Sequence, residues 1–338
     1  MRSLPQPNNF PLTGGPTLRW GVLAPGGIAR DWVGALHTHT DQRVAAVASR
    51  SLDKAQAFAA EFGIEHAHGS YEELVGDPGV EAVYVAAPHS EHRRLALLAI
   101  AAGKHVLVEK PIALNSAEAR EIVAAARAAG VFAMEAMWSR FLPQTTVVAQ
   151  LLAAGELGDV LTVTADFGAR FPFDPASRAF DPALGGGALL DIGVYPAWFA
   201  HFVLGAPDAV TATGTLASTG VDAQAAVILD YPSGAQAAIT TSLLVATPLA
   251  ATISGTLARV EFPGPFMGPG SFSVTSGADR LEWADTTGFE WGEGLCYQAA
   301  AIAQYVADGL TESPWHSLDD TLEIMTVLDS ARTQLGAL

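Results

Sequence analysis

The sequence predicts an α/β chain of two domains, a doubly wound parallel sheet followed by an α+β domain on a large, mostly antiparallel sheet. Three observations carry this. From Leu18 to about Glu135, short apolar runs alternate with longer amphipathic stretches, as strands covered on both faces alternate with helices. After about Leu142 the texture changes to alternating strands broken by turn residues. And 338 residues, half of them apolar, suffice for two cores.

In chain order, "LRWGVLA" reads as the first strand and "IARDWVGALHTH" as the first helix. "RVAAVAS" is a second strand, and "SLDKAQAFAAEFG" a helix closed by Gly63. "VEAVYVAA", "HVLVE" and "VFAMEA" are further strands, separated by helical "EHRRLALLAIAAG" and "SAEAREIVAAARAAG". Asn115 or Ser116 caps the latter helix and Gly130 ends it. Beyond residue 142, "TVVAQLLAAGELG" is a helix, "VLTVTADFGARF" a strand, and residues 188–204 an apolar helix. "AVTATGTLAST", "DAQAAVILDYPSGAQAAITTSL" with its "YPSGAQ" turn, "ATISGTLARVEFPG", "SFSVTS" and "RLEWADT" supply antiparallel strands. Two helices, near 294–309 and 317–335, finish the chain. The expected division is a flexible leader over 1–17, a nucleotide domain over 18–142, and a substrate and oligomerisation domain over 143–338.

A net charge of −17 argues against nucleic-acid binding, which needs clustered Lys and Arg. The single Cys296 rules out an internal disulfide. The leader lacks the apolar run of a signal peptide, and the most apolar long stretch contains Asp191, Pro196 and His201, a poor membrane span. The expectation is a soluble, cytoplasmic protein without nucleic-acid or membrane partners.

The turn "GVLAPGGIAR" places Ala24, Gly26 and Ala29 at the three small positions of a G-x-G-x-x-G/A phosphate-binding pattern. Gly26, Gly27 and Ile28 bring backbone amides to a pyrophosphate, and Ala24 makes the tight turn if its φ is negative. An acid would follow the second strand in an NAD site. Ser49 and Arg50 stand there instead, which suits the 2′-phosphate of NADP. Pro88, His89 and His92 follow the strand "AVYVAA" and border the cofactor, although His92 also fits a polar residue near a helix start. In "HVLVEKPIAL", Glu109 and Lys110 lie at a strand's carboxyl end, where ligands bind in open α/β sheets.

Together, "GVLAPGGIA", "AVASRS", "AAPHSEH", "VLVEKPIAL" and "LGGGALLDIGVYP" resemble the glucose–fructose oxidoreductase / inositol dehydrogenase (Gfo/Idh/MocA) family over nearly the whole chain from residue 18. The resemblance implies a Rossmann domain joined to an open-faced sheet domain that makes dimer or tetramer contacts. Tyr195, with "EAMWSRF", resembles the subgroup of dimeric dihydrodiol dehydrogenases and NADP-dependent D-xylose dehydrogenases. It implies Tyr195 as general acid/base with Lys110 beside it, a small sugar or diol as substrate, and NADP rather than NAD as cofactor. Asp191, four residues before Tyr195 and expected on the same helix face, orients substrate hydroxyls or Lys110.

Trp138, Arg140 and Phe167 are the expected substrate-side residues, with Arg170, Phe171 and Phe173 on a long loop that borders the pocket. "HTH" (His37, His39) and "HAH" (His66, His68) invite a metal reading, but residues two apart diverge on a helix and no ligand-spaced partner accompanies them, so no metal is expected. Two other functions stay open: a redox-neutral glycosidase using tightly held NAD, and a non-enzymatic NADP-binding sensor.

Overall fold

In the computed structural model, which describes residues 3–337, the apolar runs after Leu18 become six parallel strands in one sheet. They are β1 (Arg19–Leu23), β2 (Arg43–Ala48), β3 (His66–His68), β4 (Ala82–Val85), β5 (His105–Val108) and β6 (Ala133–Glu135), with helices α1 (Gly27–His39), α2 (Leu52–Phe62), α3 (Tyr71–Val75), α4 (His89–Ala101) and α5 (Ser116–Ala129) between them. The order β3-β2-β1-β4-β5-β6 reverses direction at β1, the topological switch point of a doubly wound sheet. β1, β4 and β5 are buried almost throughout, and Trp32 of α1 wedges between Trp20 and Tyr84 at ring distances of 5.2 and 4.4 Å. The caps follow the local chemistry. The Asn115 side chain accepts the Glu118 N–H at 2.9 Å, and Gly63 and Gly130 close their helices at φ 67° and 65°.

This unit spans Asn9–Phe141 and also takes in Phe289–Thr321, a segment that sequence texture assigns to the second domain. The reason is aromatic packing: Tyr305, on the helix Cys296–Ala307, stacks on Phe132 and takes Phe10 edge-on at 5.2 Å. Phe10 also stacks on Trp315 at 5.4 Å, and Leu12 O accepts the Asp41 N–H. The leader therefore carries specific packing within the described residues.

The second unit comprises Leu142–Gly288, Leu322–Leu338 and the residues up to Asn8. It begins with α6 (Pro143–Ala153) and β7 (Val160–Gly168), and the apolar helix α7 (Val194–Leu204) follows. Then come β8 (Ala209–Leu216), β9 (Asp222–Asp230), β10 (Gln236–Ser242), β11 (Ala251–Gly255), β12 (Arg259–Phe262), β13 (Ser271–Ser276) and β14 (Asp279–Ala284). The helix named above, Cys296–Ala307, is α8, and α9 (Leu318–Leu335) ends the chain, the division between units falling in its first turn. The strands form one sheet in the order β14-β13-β12-β11-β7-β10-β9-β8, antiparallel except for the β7–β10 pair.

Pairing register sorts the two faces. Val163, Ala237, Leu229, Ile253 and Val260 point to one side and are buried. The other side carries Thr162, Thr164, Ala238, Thr240 and Thr252, with Ile228 39% exposed. Such alternation marks a sheet with one covered face. Within the apolar stretch 182–204, 83% of an 18-residue window is buried, and α7 packs against β7 and β10.

Candidate active site

In the first unit, the turn after β1 is tighter than its sequence suggests. Ala24 has φ +63°, not a negative φ, and its N–H donates to Ala48 O at 3.0 Å. The position demands the left-handed region that glycine enters freely, so alanine there is strained. Gly26 caps α1 with no side-chain partner, and no acid stands in the first turn. A Cβ on Gly27 would meet nothing within 4 Å, and one on Gly26 only Ala24 O at 4.0 Å. Free amides, an open approach and the positive end of a 13-residue helix fit a pyrophosphate.

At the end of β2, Ser49 is buried, its N–H donating to His68 O at 3.3 Å. The Arg50 guanidinium acts on the Tyr71 hydroxyl, and the Arg94 guanidinium lies 5.7 Å from the Tyr71 ring centre. Burial raises the Tyr71 pKa, with both arginines pulling the other way. Arg94 is paired with the Glu91 carboxylate at 2.7 Å, so among the described residues Arg50 is the cation at the end of β2 with no carboxylate on it, a group suited to a phosphate monoester. Tyr71 and Arg94 were not legible as partners of Arg50, since 21 and 44 residues separate them in sequence.

The Glu109–Lys110 segment sits in a buried polar brace. Glu109 accepts from the Tyr84 hydroxyl and, at 3.2 Å, from the Lys110 N–H, and burial raises its pKa while Lys110 opposes the shift. Two residues past Lys110, the Ile112 N–H donates to Glu135 Oε1 at 2.9 Å. The other Glu135 oxygen faces His316 Nε2 at 3.1 Å and the Thr321 hydroxyl at 3.4 Å. Glu135, His316 and Thr321 are all buried. In the sequence Glu135 stands out only within "EAMWSRF"; its contacts follow from tertiary proximity rather than any local signal.

Two expectations are corrected here. His92 does not border a cofactor groove: it is fully buried, and its ring nitrogens each lie 2.8 Å from a backbone oxygen, Pro111 O and Ala87 O. Burial lowers its pKa, and it acts as a strut between the turn before α4 and the segment after Lys110. Arg140 is not turned toward a substrate either. Its Nε donates to Trp315 O at 2.8 Å, its guanidinium lies over the Trp315 ring, and burial lowers its pKa to about 10. Pro88 caps α4, and His89 is its buried first residue, ring to ring with His92 at 5.6 Å. Trp138 is buried edge-on against Trp291 at 5.3 Å.

In the second unit, Tyr195 is the second residue of α7, 5% exposed, with the Phe167 ring 5.5 Å away. The preceding turn, Leu189–Gly193, is a π-helix, so Asp191 and Tyr195 are not the plain α-helical pair their spacing implies. Asp191 is buried and accepts from Arg178 Nη1 at 2.8 Å. Arg170 and Phe173 lie on the exposed loop after β7, Phe173 packing on Phe180, while the Phe171 N–H donates to Leu243 O.

What holds this helix start is Asp222, whose carboxylate accepts the Leu189 N–H at 2.6 Å. Gly187, at φ +121°, lets the chain pass it: a Cβ there would stand 2.4 Å from Asp222 Oδ1. Burial raises the Asp222 pKa to about 6, with the Leu189 N–H and Arg332 opposing. The sequence flags the glycines but not the carboxylate behind them.

Lys110 thus belongs to the first unit with Glu109, and Tyr195 to the second with Asp191 and Phe167. Comparison with known proteins agrees with this division. Residues 18–137 match the oxidoreductase family with an NAD-binding Rossmann fold, and residues 145–261 match the GFO/IDH/MocA C-terminal domain. The chain is 41% identical over 327 residues to trans-1,2-dihydrobenzene-1,2-diol dehydrogenase of Xenopus laevis, covering 95% of this chain and 98% of the relative. It is 37% identical to the human protein of that name, covering 94% and 97%. Among solved structures, a 3-ketoreductase from Actinomadura kijaniata, in complex with NADP and TDP-benzene, superposes with TM-score 0.80 at 28% identity, covering 94% and 98%. An aldose-aldose oxidoreductase from Caulobacter crescentus superposes with TM-score 0.85 at 26% identity, covering 94% and 97%.

Proposed function

The chain belongs to the GFO/IDH/MocA oxidoreductase family, and from that premise we propose that it is an NADP-dependent dehydrogenase oxidising a secondary hydroxyl of a cyclic trans-diol or an aldopyranose. Dehydrogenase chemistry on an alcohol donor and a dinucleotide-binding Rossmann domain follow from the family. The choice of NADP, the substrate class and the residue roles are the proposal. The observation that carries it is the end of β2, where Ser49 and Arg50 stand, with Arg94 and its partner Glu91 across Tyr71, and no carboxylate takes the position an NAD site reserves for one.

When bound, the nicotinamide supplies the hydride acceptor. Tyr195 Oη removes the proton from the substrate hydroxyl as the hydride leaves the same carbon, so the alcohol becomes a carbonyl. A free phenol, with a pKa near ~10, is a weak base at neutral pH. The Lys110 ammonium serves the same reacting centre, favouring the phenolate and, in the reverse direction, stabilising the developing alkoxide. Asp191, held by Arg178, orients the neighbouring substrate hydroxyl. Phe167 offers the ring of the substrate an apolar wall against Tyr195. The uncovered face of the second sheet is proposed as the homo-oligomer contact.

The test is the rate of reduced-nicotinamide formation with NADP and with NAD across trans-dihydrodiols, aldopyranoses and polyols. Turnover with NADP should exceed that with NAD about tenfold or more, as a charge-assisted phosphate contact implies. Arg50→Ala combined with Arg94→Ala should remove that preference while leaving NAD turnover in place. Equal use of both nucleotides by the native chain would contradict the NADP assignment. Hydrolysis of a glycoside with no net nucleotide reduction would favour the redox-neutral glycosidase, and nucleotide binding without any turnover the sensor.

A further inference from the structure

The motif "HAH" lies on β3, not on a helix, and this reverses its geometry. Residues two apart on a strand project to the same face, so His66 and His68 stand side by side with ring centres 6.2 Å apart. Asp77, which follows α3, reaches the same point. Its Oδ2 lies 2.7 Å from His66 Nδ1 and 3.1 Å from His68 Nε2. One donor atom from each of the three falls within 4.8 Å of the others. The ligand-spaced partner that sequence spacing failed to reveal is therefore present, brought from 9 and 11 residues away by the short helix α3.

We propose that His66, His68 and Asp77 form a binding site for a divalent transition-metal cation of the zinc, nickel or copper class. Two imidazoles and one carboxylate are the donor set these ions favour, whereas magnesium and calcium take oxygen ligands. Three protein donors leave a coordination position for water, as on an accessible zinc site. Tetrahedral donors around zinc stand about 3.3 Å apart, given metal–donor lengths of about 2.0–2.1 Å. The separations from Asp77, 2.7 and 3.1 Å, need to open by about 0.6 and 0.2 Å, the two imidazole nitrogens stand within 4.8 Å of each other, and the half-exposed His66 ring has room to turn.

The surroundings match what metal ligands require around them. Asp77 Oδ1 accepts the Gly79 N–H at 2.7 Å, leaving Oδ2 to point at the histidines. The outer ring nitrogens also face carboxylates: His66 Nε2 stands 3.9 Å from Glu65 and His68 Nδ1 4.0 Å from Glu73. Closure of either gap orients the imidazole and raises its basicity toward the ion. Three carboxylates make the corner anionic, and the nearby Lys104 ammonium is held by the Asp77 and Val80 carbonyls. The site meets the nucleotide end of the sheet through the backbone, where the Ser49 N–H donates to His68 O. Side-chain substitution leaves that bond standing, and the site does not depend on the proposed reaction.

The test is calorimetric titration of the full chain with zinc chloride after chelator treatment and desalting, repeated with magnesium chloride. The expected result is a single equivalent of zinc in the micromolar range or tighter, with no uptake of magnesium. His66→Gln should weaken zinc uptake at least about tenfold, and His66→Ala with His68→Ala should abolish that equivalent. Asp77→Asn, which keeps the bond from Gly79, should weaken it too. Circular dichroism establishes that each variant is folded, and the half-exposed His66→Gln supplies the comparison if the double variant is not. Failure of the native chain to bind zinc would overturn the proposal. So would an equivalent that survives unchanged in folded His66→Gln and Asp77→Asn.

Discussion

The two units mount the side chains proposed as reactive by opposite means. Lys110 leaves a segment tied down by buried polar groups, with Glu109, His92 and Glu135 each bonded to backbone or side chains around it. Tyr195 stands on an apolar helix, and its mount is steric: a run of glycines brings the chain against a single buried carboxylate, Asp222. A polar brace fails when a partner is removed and a charge or N–H is left unsatisfied. A steric mount fails when an atom is added. The two regions should therefore respond differently to the same kind of substitution, and four changes exploit this.

The largest effect is expected from Gly187→Ala. The new Cβ meets Asp222 Oδ1 at 2.4 Å on a backbone at φ +121°, so denaturant unfolding should show a loss of about 4 kcal/mol. A loss below about 1 kcal/mol would mean the glycine run is not what holds the helix start.

Next is the pH dependence carried by Asp222. Its carboxyl keeps its proton to about 6 in the fold but releases it near 3.8 when unfolded. The native state then binds more protons between those values, so stability falls as pH rises through that window, by about 3 kcal/mol from this group. Asp222→Asn should flatten that part of the stability profile. An unchanged slope in the variant would assign the effect elsewhere.

In the polar brace, Glu135→Ala strips the acceptor from the Ile112 N–H and from His316, costing about 2 kcal/mol. Glu135→Gln retains an acceptor for Ile112 and should recover much of that stability. If Glu135 positions Lys110, the alanine variant should lower kcat more than it raises KM, a split that a purely structural role would not give. The smallest effect has the opposite sign. Ala24→Gly relieves a residue at φ +63° and should stabilise by about 0.5–1 kcal/mol, unless the added freedom of the unfolded chain cancels it.

Much of the architecture was legible because it rests on periodicity. Strand and helix runs, the caps at Gly63, Asn115 and Gly130, and the eight strands of the second sheet all follow local patterns. What stayed hidden depends on residues far apart in sequence. β3 is three residues long and mostly polar, so no period marks it and nothing local shows that its histidines share a strand face. His92 and Arg140 are the residue types of binding sites, yet His92 is buried on two backbone carbonyls and Arg140 is held by the Trp315 carbonyl, partners that no local pattern announces. Glu135 and Asp222 are lone acids in apolar runs, and only the fold brings the N–H groups they accept. The segment Phe289–Thr321 joined the first unit through Tyr305 and Phe132, a stacking pair 173 residues apart in sequence.

The most direct test of the proposed chemistry is single-turnover reduction of NADP by native chain and Tyr195→Phe, with NADP affinity measured separately. The variant keeps the ring against Phe167 and removes only the hydroxyl. The account predicts a loss of about 10²- to 10⁴-fold in the chemical step with nucleotide binding unchanged. A variant that turns over at the native rate would show that Tyr195 moves no proton, and the assignment of the reacting centre would fall with it.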